Sequence, residues 1–228
     1  MKTISNIQCW LDSFRNRIVE TFELRIEFIG IQGSYARNEA HSESDIDVVV
    51  ILDQLSFDDL KQYKDAISTL SDRKKICGFI AGKDELIHWE KSDLFQFYHD
   101  TKPLLGNLDF LRPLIQKNDI RRAISIAGGN IYHACCHNYL HEQEGQILRS
   151  LYKVAFFALQ ARHYIETGVY LGNRHDLRNQ LSDQDRQILE TADEIPESFS
   201  PDQPQFALFS KRLLQWSSQL IRTYSSPN

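Results

Sequence analysis

Residues 33–52 read GSYARNEAHSESDIDVVVIL, and this stretch sets how the rest of the chain is read. Its last seven residues, Ile46 to Leu52, are strongly apolar and rich in β-branched side chains, which predicts a strand. Upstream, Leu24 to Gln32 alternates and runs into Gly33-Ser34, the pattern of a strand feeding a tight turn. Between the two strands lie mostly polar or small residues, with a short helix expected at their start. Where a strand gives way to a helix, backbone N–H groups and the Ser34 hydroxyl can point at an anion. Gly33 lets such an anion approach the backbone closely.

Asp45 and Asp47 stand two apart at the head of the second strand. Strand alternation puts both carboxylates on one face, roughly 6–7 Å apart along the chain, and turns Ile46 the other way into the core. Paired carboxylates beside an anion-binding turn suit one or two Mg²⁺ ions bridging protein and triphosphate oxygens, and hard oxygen ligands favour Mg²⁺ or Mn²⁺ over zinc. An Asp-x-Asp pair alone is commonplace, and Gly-Ser alone is an ordinary turn. The two separated by twelve residues make a constellation.

Working outward, residues 4–20 place Ile4, Ile7, Trp10, Leu11, Phe14 and Ile18 at helical spacing. Ser56 to Leu70 reads as a helix, Lys75 to Ala81 as a third strand, and Asp93 to Tyr98 (DLFQFY) as a fourth strand candidate. Beyond Pro113 the pattern turns helical: 119–142 and 146–167 are two long helices, Asp183 to Ala192 a shorter one, and Gln205 to Tyr224 the last. Glu194 to Pro204 reads as a linker. A boundary near residues 113–118 divides the chain into a unit over 1–115 and a helical unit over 116–228, with a cleft for small molecules expected between them.

The chain has 228 residues, 26 Lys and Arg against 31 Asp and Glu, and a net charge of −5. With 42% hydrophobic residues there is material for a sizeable core, so collagen-like and disordered readings are excluded. Dispersed basic residues give no stripe for a phosphate backbone, which argues against extended nucleic acid as partner. No apolar run reaches the ~20 residues of a membrane helix, and Met1–Glu20 mixes charge and apolar residues unlike a secretory signal, so a cytoplasmic location without membrane attachment is expected. Cys9, Cys77, Cys135 and Cys136 show no CxxC spacing and are expected to be buried free thiols.

GSYAR followed by SDIDVVV resembles the signature of the nucleotidyltransferase superfamily with the DNA polymerase beta-like fold. The resemblance is specific over residues 31–52 and architectural elsewhere. It implies an α+β fold, a mixed sheet with flanking helices followed by an all-helical C-terminal bundle like that of aminoglycoside nucleotidyltransferases. It also implies transfer of a nucleoside monophosphate, with ATP the expected donor, to a hydroxyl of a small acceptor such as an aminoglycoside-like molecule, releasing pyrophosphate. On this reading Gly33 and Ser34 hold the triphosphate, Asp45 and Asp47 bind Mg²⁺ or Mn²⁺, and Arg37 either touches phosphate or braces the motif. Catalysis is then mostly positioning and charge neutralisation.

Many members of the family carry a third carboxylate on the next core strand; here Cys77 occupies that position. Asp93 could replace it, a base could come from the helical half, where Glu142 and Glu144 are candidates, or turnover is weak or absent. Lys153, at the edge of an apolar helix face, is a candidate to reach the triphosphate. His133, His137 and His141 repeat every fourth residue without an evident acidic or thiol partner, which reads as a surface or core-edge row. Tyr164 and Tyr170 flank Gly168 and could stack on a ring or simply pack. Two further functional readings stay open: a regulatory nucleotidyltransferase of the toxin–antitoxin kind acting on a partner protein, and a nucleotide-binding relic. Oligomeric state is left open.

Overall fold

In a computed structural model, residues 7–196, 199–202 and 204–225 are described. The chain divides into two compact units, Met1–Ile115 and Gln116–Asn228. Among the described residues no helix is long and apolar enough to cross a membrane.

The first unit is built on a four-stranded mixed sheet of β1 (Ile26–Ile31), β2 (Ile46–Leu52), β3 (Ile76–Gly82) and β4 (Lys102–Gly106), in the order β3-β2-β1-β4. β1 runs antiparallel to β2 and β4, while β2 and β3 are parallel. A parallel pair needs a crossover, and α3 (Phe57–Ser68) supplies it. Ser56 caps that helix in a reciprocal box with Asp59, and the buried Asp59 carboxylate also takes Arg25 Nη1 at 2.6 Å. The Arg25 guanidinium and the Ser56 bonds together hold this carboxyl well below the usual range.

β2 is the centre of the unit because both of its faces are covered. Ile46, Val48, Val50 and Leu52 meet α1 (Ile7–Phe22) on one side, through Trp10, Leu11, Phe14, Ile18 and Phe22; Val49 and Ile51 join Phe28, Leu86, Leu94 and Leu111 on the other. The apolar residues of α1 recur three or four apart, as expected, and residues 4–6 of that expectation lie outside the described residues. With only Asp47 interrupting the apolar run, the start of β2 is where a polar group is held against a packed sheet.

DLFQFY is not a strand. It lies within α5 (Lys91–Asp100), after the short α4 (Lys83–His88), and the fourth strand is Lys102–Gly106 instead. Leu94 and Phe95 are buried, and Phe97 and Tyr98 pack against the same cluster, so the apolar positions fit one broad helix face and not a period of two. The expectation of four buried thiols also fails: all are free, but Cys9 and Cys77 are exposed and only Cys135 is fully buried.

His99, near the end of α5, sits against the rings of Phe95 and Tyr98. Burial, with the Arg112 charge adding to it, pushes its pKa down to about 4 from 6.5. Between those values the unfolded chain holds the proton and the fold does not, so stability is fully present above 6.5 and falls as pH drops toward 4. Urea unfolding at about pH 5 and about pH 7.5 is expected to show the loss, and His99→Phe should reduce it.

The second unit consists of α6 (Lys117–His137), a π-turn (Asn138–Glu142), α7 (Gly145–Thr167), α8 (Arg174–Arg178), α9 (Asp183–Glu194) and α10 (Pro204–Tyr224). Gly128 lets α6 approach α10, since a Cβ there would stand 3.1 Å from Leu220 Cβ. At the centre the buried Asp185 carboxylate receives Arg162 Nη1 at 2.9 Å, the Trp216 indole N–H at 2.8 Å and the Ser182 hydroxyl at 3.1 Å. Of the stretch read as a linker, residues 197, 198 and 203 lie outside the described residues; Ile195 and Phe199 are buried, so its described part is packed.

Candidate active site

The ladder between β1 and β2 continues one bond past the end of β1: the Gln32 N–H donates to the Asp47 carbonyl at 2.7 Å. That bond places Gly33 under the Asp47 side chain. Gly33 has φ +68°, and a Cβ on it would lie 1.9 Å from Asp47 Oδ2. Only glycine satisfies both the dihedral and the approach. From here α2 (Gly33–Arg37) begins, with Tyr35 and Ala36 buried in the sheet's helical layer and Ser34 half-buried. Asn38, left-handed at φ 60°, ends the helix, and the Glu39 N–H returns to the Ser34 carbonyl at 2.8 Å.

Arg37 braces this turn. Its Nε donates to Glu39 Oε2 at 3.0 Å and its Nη1 to Asp100 Oδ2 at 3.4 Å, and its charge also reaches Asp47. The loop to β2 is pinned as well: the Ser44 hydroxyl accepts the His41 N–H at 2.9 Å, and the buried Lys75 ammonium donates to the Ser42 carbonyl at 2.7 Å. Lys75, Asp100 and the Gln32–Thr101 bond of 2.6 Å were not singled out from the sequence. They act by tertiary contact, which no local pattern announces.

Asp45 is exposed, one residue before β2, and Asp47 is half-buried within it. The Asp47 carboxyl is pushed above its ordinary value first by burial and then by the Asp45 charge, with Arg37 opposing. The Asp47 carboxylate with the Asp45 charge beside it, walled by a glycine backbone, forms a hard-oxygen donor set suited to a divalent cation. Opposite Asp47 in the parallel register stands Cys77 of β3, its thiol exposed, about 4.8 Å away across the sheet. Among the described residues no group of three His, Cys, Asp or Glu side chains is gathered closely enough to hold a metal.

Asp93 is exposed in the first turn of α5 and so does not head a strand. Glu142 ends the π-turn, half-exposed, 3.8 Å from His137 Nδ1. Glu144 precedes α7, its N–H donating to Asn138 Oδ1. Lys153 is exposed on α7 and makes no ion pair among the described residues. His133, His137 and His141 form a row with ring centroids 6.3 and 5.0 Å apart. The Tyr164 carbonyl accepts the Gly168 N–H that closes α7.

Residues 11–99 match the family model described as a nucleotidyltransferase domain. No curated protein matches the sequence. Among solved structures, the spectinomycin adenyltransferase of Enterococcus faecialis, solved with ATP and spectinomycin, aligns over 92% of this chain and 98% of its own, with 14% identity and a TM-score of 0.52. At that identity the likeness is one of fold. A nucleotidyltransferase-like protein from Exiguobacterium sibiricum 255-15 aligns over 93% of this chain and 77% of its own, with 12% identity and a TM-score of 0.32, too low to bear on the argument.

Proposed function

We propose, from the premise that residues 11–99 are a nucleotidyltransferase domain, that the protein moves AMP from ATP to a hydroxyl of a small, aminoglycoside-like acceptor and releases pyrophosphate. The observation that carries this reading is the Gly33 backbone seated against the Asp47 carboxylate with the Asp45 charge beside it. The structural relative, a spectinomycin adenyltransferase solved with ATP and spectinomycin, supports the donor and the acceptor class.

In this reading Gly33 and Ser34 present backbone and hydroxyl to the triphosphate, and Arg37 keeps the turn in shape through Glu39 and Asp100. Asp45 and Asp47 hold Mg²⁺ or Mn²⁺, which when bound supplies the charge neutralisation that phosphoryl chemistry requires. The acceptor oxygen bonds to the α-phosphorus as the bond from that phosphorus to the bridging oxygen of pyrophosphate breaks. The acceptor proton passes to a base, for which Asp93 and Glu142 are the candidates. Asp93→Asn and Glu142→Gln, compared side by side, identify it: loss of the base lowers kcat by about 10²–10⁴. Lys153, exposed on α7 and without an ion pair among the described residues, is assigned to the phosphates; Lys153→Ala is expected to raise KM for ATP about tenfold with kcat less affected.

The test is Mg²⁺-dependent pyrophosphate release from ATP against a panel of cationic, polyhydroxylated acceptors. Release that needs both acceptor and metal supports the reading. Cys77 opposite Asp47 favours a second one, a nucleotide-binding relic, and nucleotide binding without release across the panel would establish that instead.

A further inference from the structure

His133, His137 and His141 follow one another along α6 and the π-turn of the second unit, and all three are exposed. Their spacing in sequence is the same, yet their separations differ. The ring centroids of His133 and His137, both within α6, are 6.3 Å apart, whereas those of His137 and His141, where α6 passes into the π-turn, are 5.0 Å apart. With metal–nitrogen bonds of about 2.0–2.1 Å and about 1.1 Å from a ring nitrogen to its centroid, two imidazoles on one ion at about 90–110° have centroids roughly 4.5–5.2 Å apart. His137 and His141 meet that requirement, and His133 does not.

The closer pair is held by its backbone. The π-turn ends at Gln143 in the left-handed region, φ 52°, and the buried Asn138 side chain ties its start to the residue beyond it, donating to the Glu144 carbonyl and accepting the Glu144 N–H, each at 3.0 Å. Single π-turns of this kind recur at functional sites. The acidic neighbour that sequence spacing does not disclose is also present: Glu142 Oε1 lies 3.8 Å from His137 Nδ1. A carboxylate on that side favours the proton on Nδ1 and leaves Nε2 bare, the carboxylate–histidine–metal order found around bound ions. The C-terminal end of a long helix carries partial negative charge, which adds to the attraction for a cation.

We propose that His137 and His141 chelate a late first-row divalent metal ion, of the Zn²⁺, Ni²⁺ and Cu²⁺ class, with Glu142 as the positioning residue behind His137. Imidazole nitrogens select these ions over Mg²⁺, so this site and the carboxylate pair of the first unit take different metals. Among the described residues no third His, Cys, Asp or Glu completes the set, so water fills the other positions and the ion exchanges freely. The site does not depend on the nucleotidyl-transfer reading, although Glu142 is also one of that reading's candidates for the base.

Calorimetric titration of the full, untagged chain with Ni²⁺ tests it, in excess Mg²⁺ so that hard-oxygen sites are already filled. The expected result is one saturable Ni²⁺ per chain with Kd of about 10⁻⁵ M. His137→Ala and His141→Ala should each weaken it at least about tenfold, and His133→Ala should change it less than about twofold. Glu142→Gln should weaken it about tenfold while the melting temperature of the metal-free protein stays the same, which a merely structural role would not give. Bound Ni²⁺ should also protect His137 and His141, and not His133, from diethyl pyrocarbonate, read by tandem mass spectrometry; this measurement needs no variant. Absence of saturable binding, binding that survives His137→Ala or His141→Ala, or equal losses in all three histidine variants, the mark of a diffuse histidine face, would overturn the proposal.

Discussion

Asp47→Ala is expected to lower kcat/KM for Mg²⁺-dependent pyrophosphate release by at least about a thousand-fold, some 4 kcal/mol of transition-state stabilisation. The melting temperature should hold or rise. Burial and the Asp45 charge both disfavour the ionised Asp47 in the fold, so its removal relieves a cost. A loss of activity with retained stability separates a functional carboxylate from a structural one. Asp47→Asn keeps the shape without the charge and should be nearly as inactive. Substantial residual release in either variant would remove Asp47 from the site.

The second large effect falls on stability. Asp185→Ala should cost about 3–5 kcal/mol, because it leaves the Arg162 guanidinium without its buried partner and the Trp216 indole N–H without an acceptor. It also removes the Ser182–Asp185 bond at the start of α9. Asp185→Asn retains an oxygen for Trp216 and should lose less. Denaturant unfolding followed by tryptophan fluorescence and by circular dichroism measures both, and a change below about 1 kcal/mol for Asp185→Ala would refute the assignment of Asp185 as the hub.

What could be read from sequence follows from how local each signal is. Ile46–Leu52 emerged with its true bounds because a strand buried on both faces leaves an unbroken apolar run. The turn at Gly33 was readable for the same reason: a left-handed glycine between a strand and a short helix is a local necessity. DLFQFY failed because four apolar residues in six satisfy both periods, and the arbiter is the cluster of Phe28, Leu86 and Leu111 brought from elsewhere. KPLLG was passed over because a proline and a lysine conceal a short edge strand. At the site, the Asp45–Asp47 pair lay within one segment, whereas Arg37's partner Asp100 and the Lys75 strut lie 63 and 33 residues away from what they hold. The exposure of Cys77 depends on its place in β3, the outer strand on that side of the sheet.

The strand that sequence reading missed also governs how the protein behaves in company. A mixed sheet has two open rims, and each offers unpaired backbone groups to any extended chain that drifts past. β4 is five residues long, begins with Lys102, lacks an amide proton at Pro103 and is turned off by Gly106 at φ +74°. Proline and a charge at such a rim deny a templating surface to incoming strands. The residues that make β4 hard to recognise are the ones that guard the sheet against aggregation, and Pro103→Val would be the change that opens it.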